Sequence, residues 1–144
     1  MDAYKHVLLA LDLHPDCDQV AINKAIVLVK LFNAKLTILH AVEHVSAYGM
    51  AQASPMALDV EEQMLKDAEQ QLLKLKQTLA IPNTEIVVTA GSPKNVIIDK
   101  VEELKVDLIV VGSHGRHGLS LLLGSTANAL LHHATCDVLA VRIK

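Results

Sequence analysis

The stretch DLIVVGSHGRHGLSLLLGST, residues 107–126, leads from a short apolar run into a loop that holds four of the chain's six glycines. The apolar run is rich in Val and Ile, which favours a β-strand. The glycines after it indicate either a sharp turn between a strand and a helix, or a backbone that a ligand approaches closely. The stretch therefore predicts a strand that ends in a loop of functional interest.

Five apolar runs of this kind recur along the chain, and each is only weakly alternating in polarity. They are HVLLALDL (6–13), KLTILHAV (35–42), TEIVVTA (84–90), VDLIVVG (106–112) and CDVLAVRI (136–143). Strands that are covered on both faces have this pattern, because neither face meets water. The runs therefore predict five buried β-strands.

Four helical patterns lie between these runs. The apolar stripes of the first three are Ile22, Ala25, Ile26, Val29 and Phe32, then Val60, Met64, Ala68, Leu72, Leu75 and Leu79, then Val96, Ile97, Val101 and Leu104. Asp16 and Asp18 are candidate caps for the first helix. Ser92 is a natural N-cap of the third helix, with Pro93 as its first residue. The fourth helix is predicted over residues 119–133.

The resulting order, β-α-β-α-β-α-β-α-β, predicts an α/β fold. A parallel five-stranded sheet lies between two layers of helices, joined by right-handed crossovers, in a three-layer sandwich. We expect one domain over residues 1–144. The segment 43–57 has no clear period, and it predicts the one long, flexible loop of the chain.

Composition narrows the class of protein. Net charge is −3 at pH 7, so no overall positive field indicates a nucleic-acid partner. The N-terminal apolar run is too short for a signal peptide, and no stretch is long enough to span a membrane. Cys17 and Cys136 are expected to be free thiols, since they are far apart and form no CxxC pair. We therefore expect a cytoplasmic protein.

An open parallel sheet binds ligands beyond the carboxyl ends of its strands, where the strand order reverses. Asp12 interrupts an apolar run at such an end. Its carboxylate has two equally weighted interpretations: it accepts hydrogen bonds from a ribose or an adenine amine, or it only bonds backbone amides where the next helix begins.

The glycine-rich stretch is a candidate anion site. Successive amides of residues 113–116 can converge on an anion, and Arg116 adds a full charge. Gly124, Ser125 and Thr126 combine close backbone approach with two hydroxyls near a helix start, where phosphate is favoured. The alternative is an ordinary connection whose Ser and Thr belong to a helix; the number of glycines favours the anion site. Neither GxxxxGK[ST] nor an early GxGxxG is present.

No catalytic or metal centre is predicted. The eight histidines include no HxxxH on a clear helix, and no set of three or four convergent zinc ligands is recognisable. No Ser-His-Asp or Cys-His arrangement suggests nucleophilic catalysis, and Asp12 is the single acidic candidate at the expected ligand edge. We expect at most a slow ATPase.

The chain resembles the universal stress protein family along its whole length. The resemblance is carried by YKHVLLALD (4–12), NAKLTILHAVE (33–43) and, most specifically, VDLIVVGSHGRHGLSLLLGSTANALLHHATCDVLAVR (106–142). It implies a Rossmann-like fold of the adenine nucleotide alpha hydrolase type, with strand order 3-2-1-4-5. It also implies a homodimer formed by the last strand, 136–143, which would otherwise be a bare apolar edge.

The resemblance also implies a nucleotide site. The ATP-binding branch of the family carries Gly-x2-Gly-x9-Gly-Ser/Thr, whereas only eight residues separate Gly115 from Gly124 here. We expect the missing residue to fall in the loop, because residues 119–126 then keep a helical register. The implied contacts are to base and ribose from Ala10, Asp12, Ala41 and Gly112, and to phosphates from Ser113, His114, Gly115, Arg116, Gly124, Ser125 and Thr126.

Three functions remain open at this point. The first is a nucleotide-binding dimer that acts in the stress response through occupancy of its site. Its ligand would be ATP or AMP, with or without Mg²⁺, and it would hold no redox cofactor. The second is a dimeric scaffold without nucleotide. The third, an adenylyl transferase or similar enzyme, lacks its expected HxGH or PP-loop motif.

Overall fold

The computed structural model describes residues 3–13, 15–44, 55–113 and 124–142. Its strands are β1 (His6–Ala10), β2 (Lys35–Val42), β3 (Glu85–Ala90), β4 (Leu108–Gly112) and β5 (Asp137–Val141). Its helices are α1 (Pro15–Phe32), α2 (Pro55–Leu79), α3 (Pro93–Leu104) and α4 (Ser125–His133). The alternating order predicted from the sequence is confirmed.

The five strands form one parallel sheet in the order β3-β2-β1-β4-β5. β1 lies at its centre, paired with β2 on one side and β4 on the other, and all five of its residues are buried. The predicted fold class and strand order are both confirmed. Because the chain fills one half of the sheet before crossing to the other, the strand order reverses between β1 and β4.

An aliphatic core covers each face of the sheet. On one face, α1 and α2 contribute Ile22, Val29 and Leu72 to a cluster with the strands. On the other face, α3 and α4 contribute residues such as Ile97 and Leu130. These two clusters explain why the strands read as nearly continuous apolar runs. No helix in the described part of the chain is long and apolar enough to cross a membrane.

The predicted helix starts are right for α3 and wrong for α1. Ser92 caps α3, since its side chain accepts a hydrogen bond from the Asn95 backbone N–H at 3.4 Å, and Pro93 is the first helical residue. α1 begins at Pro15, so Asp16 and Asp18 lie inside its first turn and do not cap it. The error arose because the apolar stripe of α1 begins several residues after the helix itself.

Helix α2 begins at Pro55, so the last three residues of the predicted loop 43–57 are helical. Residues 45–54 lie outside the described part, and the flexibility of the loop stays a prediction. Of the predicted apolar stripe, Ala68 and Leu72 are buried, but Val60 is 40% and Met64 38% exposed. A 25-residue helix is about 37 Å long, whereas the six-residue β3 spans about 20 Å, so the first turns of α2 extend past the sheet.

His6 is a buried polar residue at the amino-terminal edge of the sheet. Its Nδ1 lies 3.2 Å from the Leu104 carbonyl oxygen, and its Nε2 lies 2.6 Å from Thr37 Oγ1. Since a carbonyl only accepts, Nδ1–H donates to Leu104, and the neutral ring accepts from the Thr37 hydroxyl at Nε2. Burial is the main cause that lowers the pKa of His6 below its ordinary value of 6.5.

The lowered pKa of His6 predicts a loss of stability in mild acid. Below pH 6.5 the unfolded chain takes up a proton at His6 that the folded chain does not, so the free energy of unfolding should fall as pH drops from 6.5 toward the folded pKa. Urea unfolding from about pH 8 to about pH 5 measures this slope. The variant His6→Gln should show a smaller slope; an identical slope in both proteins would contradict the prediction.

Candidate functional site

The candidate site lies at the carboxyl edge of the sheet, where the strand order reverses. Asp12 stands two residues after β1, and Ser113 directly follows β4. Because β1 and β4 are paired in parallel, with Ala10 opposite Val111, the two strand ends reach the same edge side by side. This is the position at which open α/β sheets bind their ligands.

A small pocket at this edge brings together four of the residues predicted from the sequence. Ala10, Asp12, Ala41 and Thr126 line it, from β1, β2 and the start of α4. The other lining residues are mostly apolar: Leu11, Leu39, Pro93, Ile97 and Val111. The pocket thus combines an apolar floor with one carboxylate and one hydroxyl.

The carboxylate of Asp12 is exposed, and among the described residues nothing forms a hydrogen bond with it. The bond observed at this residue involves its backbone N–H, which donates to Asp18 Oδ1 at 3.3 Å. No bond from the Asp12 carboxylate to an amide of the following helix is found among the described residues, and the two interpretations of this carboxylate stay predictions. Within the part of the chain that the structure describes, both oxygens of Asp12 are therefore without a hydrogen-bond donor.

The residue after Asp12 has an unusual backbone. Leu13 has φ = 62°, in the left-handed region, which costs a residue other than glycine roughly 1–2 kcal/mol. Strained residues of this kind cluster at functional sites, where the surrounding structure holds them. The chain therefore leaves β1 through a turn that is specified by its surroundings and not by the local preference of leucine.

The amides of the candidate phosphate site are only partly available. The Ser113 N–H donates to the Val141 carbonyl oxygen at 2.8 Å, and the Gly124 N–H donates to the Ser113 carbonyl oxygen. The prediction that the backbone amide of Ser113 joins an anion cradle is wrong, because this residue continues the pairing of β4 with β5. The amide of Gly124 is likewise unavailable to an anion, because it is bonded to the Ser113 carbonyl oxygen.

Among the described residues of the candidate phosphate site, the backbone amides that are still available lie at the start of α4. Gly124 is its N-cap, with extended φ and ψ of −62° and 154°, and Ser125 is its first residue. The first three amides of a helix have no acceptor within the helix, so those of residues 125–127 point outward at the positive end of its dipole. Thr126, which lines the pocket, places this helix start beside Asp12.

The extended conformation of Gly124 corrects the predicted fourth helix. A helix that runs without interruption over 119–133 is wrong, because α4 begins only at Ser125. The eight-residue spacer between Gly115 and Gly124 therefore precedes α4, so its missing residue does not rotate the face that α4 presents. The predicted contacts His114, Gly115 and Arg116, together with residues 119–123, lie outside the described residues.

Five apolar residues of the pocket were not predicted from the sequence: Leu11, Leu39, Pro93, Ile97 and Val111. Pro93 and Ile97 belong to the first turns of α3, whose start was predicted correctly from Ser92. A signal was therefore present, since a helix that starts directly after a strand has its first turn at the carboxyl edge of the sheet. Gly112, predicted to contact the ligand, ends β4 beside this pocket without lining it.

The ionisable side chains outside the pocket include a free cysteine but no metal centre in the described part of the chain. No group of three or more His, Cys, Asp or Glu side chains there is arranged to hold a metal ion. Cys136 precedes β5, at the opposite edge of the sheet from the pocket. Burial, above all, raises the pKa of its thiol to about 11, so it is protonated at neutral pH.

Comparison with known proteins assigns the chain to a family. A family model described as "Universal stress protein family" matches residues 3–142. Universal stress protein A homolog 2 of Coxiella burnetii is 46% identical to this chain, over 100% of this chain and 99% of its own length. Universal stress protein A homolog 1 of the same organism is 43% identical, over 98% of each chain. The solved structure of a universal stress protein from Lactobacillus plantarum superposes with a TM-score of 0.87, at 27% identity, covering 99% of this chain and 100% of that one.

Two more distant structures of similar fold contain nucleotides. One is a universal stress protein in complex with cAMP, with a TM-score of 0.64 and 23% identity, covering 99% of this chain and 100% of that one. The other is an Arabidopsis thaliana universal stress protein family member with AMP bound, with a TM-score of 0.62 and 18% identity, covering 97% and 92%. At these identities the likeness establishes the shared fold.

Proposed function

The chain belongs to the universal stress protein family, and on that basis we propose that it binds an adenine nucleotide, ATP or AMP. We place it in the cytoplasm as a homodimer that acts in the stress response through occupancy of its site and not through turnover. The observation that carries the proposal is that Asp12 and the start of α4 line one pocket with an apolar floor.

Each part of the sheet edge around this small pocket can contact one part of the nucleotide. The half-buried side chains of Ala41 and Pro93 offer apolar contact to an adenine ring, above a floor of buried core residues. The Asp12 carboxylate can accept hydrogen bonds from the ribose hydroxyls. The N-terminus of α4 can donate to phosphate oxygens, as helix N-termini commonly do. Arg116, Gly115 and His114 complete the proposed phosphate contacts, as the family's glycine motif suggests.

Occupancy is favoured over catalysis because the pocket holds few reactive groups. Among its described lining residues, Asp12 is the one with an ionisable side chain. Rapid phosphoryl transfer normally needs both a magnesium carboxylate and a group that positions the nucleophile. We therefore propose that any hydrolysis of ATP is slow, with phosphate release below about one per second.

The proposal is tested on the purified protein. The chain has two Tyr and no Trp, so its own absorbance is weak and carried adenine nucleotide would dominate the ultraviolet spectrum. Calorimetric titration of nucleotide-free protein with AMP, and with ATP in the presence and absence of Mg²⁺, should show saturable binding. No carried nucleotide and no heat with either ligand would contradict the proposal and favour the scaffold without nucleotide.

The homodimer is proposed to form through β5. This strand pairs only with β4 in the described sheet, so its other edge is exposed to pairing. Because Val141 accepts from Ser113, the residue that follows β4, alternation along the strand turns the backbone groups of Ala140 toward the free edge. The backbone groups of Val138 face the same way. The free edge of β5 therefore presents the N–H and C=O groups of Val138 and Ala140, which have no partner strand in the described sheet.

The variant Ala140→Pro should convert the dimer into a monomer. Proline removes the N–H that a second β5 would accept from, whereas it leaves the bonds from Val141 to β4 in place. Sedimentation equilibrium measures the mass, and circular dichroism checks that the fold is retained. Ala140→Val keeps the N–H and should remain dimeric. A dimer of unchanged affinity in Ala140→Pro would contradict the proposed interface.

A further inference from the structure

Two side chains from different elements hold one peptide group, the group that joins Leu11 to Asp12. His40 Nδ1 lies 2.7 Å from the carbonyl oxygen of Leu11. The N–H of the same peptide, on Asp12, donates to Asp18 Oδ1 at 3.3 Å. Both ends of a single peptide plane are thus fixed, one from β2 and one from α1.

The bond between His40 and Leu11 has a defined direction. A carbonyl oxygen only accepts, so Nδ1 of His40 must carry the hydrogen and donate it. Nδ1 carries a hydrogen both in this neutral tautomer and in the protonated ring, so the contact exists in both states. His40 therefore acts here as a donor that is always available to the Leu11 carbonyl.

The two side chains reach this peptide from the face of the sheet opposite the pocket. Leu39 and Ala41 contribute to the α3 and α4 face, so strand alternation puts His40 on the other face. Asp18 belongs to α1, which packs on that same face. Asp12 lines the pocket, whereas neither His40 nor Asp18 does.

A peptide at this position needs external support. β1 ends at Ala10, and the backbone N–H of Leu11 makes the last bond to β2, donating to the Leu39 carbonyl oxygen at 2.9 Å. Leu13 then adopts φ = 62°, which its own preferences disfavour. Between these two points, the bonds from His40 and Asp18 determine which way the Leu11–Asp12 peptide faces.

We propose that His40 and Asp18 are positioning residues that orient the Leu11–Asp12 peptide and thereby aim the Asp12 carboxylate into the pocket. This inference rests on the proposed function, because it concerns how the nucleotide site is built. Neither residue contacts the ligand. They act by removing the rotational freedom of the peptide that carries Asp12, so that the carboxylate is placed before the ligand arrives.

Substitutions that keep or remove each hydrogen bond test the proposal. His40→Phe keeps a ring without the donor, whereas His40→Asn places a side-chain N–H near the position of Nδ1. Asp18→Ala removes the acceptor, whereas Asp18→Asn retains an oxygen. We expect the Kd for AMP to rise about tenfold in His40→Phe and in Asp18→Ala, which is the loss of one hydrogen bond. Both Asn variants should bind nearly as the wild type does.

Gln19→Ala is the matched control, since Gln19 is adjacent to Asp18 but bonds Asn23 within α1. Unfolding midpoints show that each variant is folded at the titration temperature. If His40→Phe and Asp18→Ala bind AMP like the wild type, the proposal is overturned. Equal weakening in the Asn variants would overturn it too, because the hydrogen bonds would then not be the cause.

A second measurement needs no ligand. In NMR spectra of nucleotide-free protein, the amide of Asp12 should exchange slowly, and Leu13 should show the coupling of a positive φ. Asp18→Ala and His40→Phe should speed the exchange and change the coupling. If the wild type binds no nucleotide, the proposed function fails, and this measurement alone decides: unchanged exchange and coupling in both variants overturn the positioning role.

Discussion

Asp12→Ala should weaken the binding of AMP about a hundredfold and remove carried nucleotide from the purified protein. The Asp12 carboxylate is exposed and makes no hydrogen bond with another described residue, so its two oxygens are available to the ribose hydroxyls. Hydrogen bonds to a charged group contribute about 1.5–3 kcal/mol each, and about 2.7 kcal/mol corresponds to a hundredfold change. Asp12→Asn keeps one acceptor oxygen and should bind about tenfold more weakly than the wild type.

Calorimetry on nucleotide-free protein measures these affinities, and chromatography of heat-extracted ligand measures the carried nucleotide. Asp59→Ala is the control for charge, since Asp59 is an exposed carboxylate on α2 that does not line the pocket. The free energy of unfolding of ligand-free Asp12→Ala should change by less than about 0.5 kcal/mol, as for other surface substitutions. Full affinity in Asp12→Ala would show that the site lies elsewhere.

Gly91→Ala should lower the free energy of unfolding by about 2–4 kcal/mol. Gly91 follows β3 with φ = 146°, a conformation that residues with a side chain rarely adopt and that costs about 1–3 kcal/mol. A Cβ at this position would lie 2.9 Å from Val96 Cγ2, which is too close for two carbon atoms. Overpacking of this kind adds a similar penalty, typically about 1–3 kcal/mol.

The two causes can be separated with a second substitution. Val96→Ala removes the contacting methyl group, so the double variant Gly91→Ala, Val96→Ala should lose only the part of the effect that comes from the backbone. The cycle of urea unfolding measurements, with Val96→Ala as its reference, gives both contributions. A change of less than about 0.5 kcal/mol in Gly91→Ala would mean that this turn adjusts freely, contrary to the prediction.

The elements that local patterns predicted well are those whose signals lie within a few residues of each other. Each of the five apolar runs contains one of the five strands, because strands covered on both faces have an almost continuous apolar sequence. Ser92 and Pro93 predicted the start of α3, because capping is an interaction over three residues. The strand order followed from the family resemblance and is confirmed.

The features of the helices that the apolar pattern did not predict depend on the size and position of other elements. The apolar stripe of α2 continues to Val60, yet only its later turns meet the sheet, because β3 is shorter than the helix. The start of α4 was placed at residue 119 because leucines there continue the helical period. Gly124 is nevertheless extended and α4 begins only after it, which the spacing of the leucines does not indicate.

Residue types were enough to identify this chain as a parallel α/β protein, and to place Asp12 and the first residues of the glycine-rich stretch, Gly112 and Ser113, at the carboxyl edge of its sheet. Those conclusions depend on hydrophobic periodicity and on short-range turn chemistry, and both are interactions between residues that are close in the sequence. The tertiary structure decided which groups remain available: the Ser113 amide is bonded to Val141, and the Leu11–Asp12 peptide to His40 and Asp18. Hydrogen-bonding capacity at the site is set by partners that are distant in the chain, so it exists only once the sheet has formed.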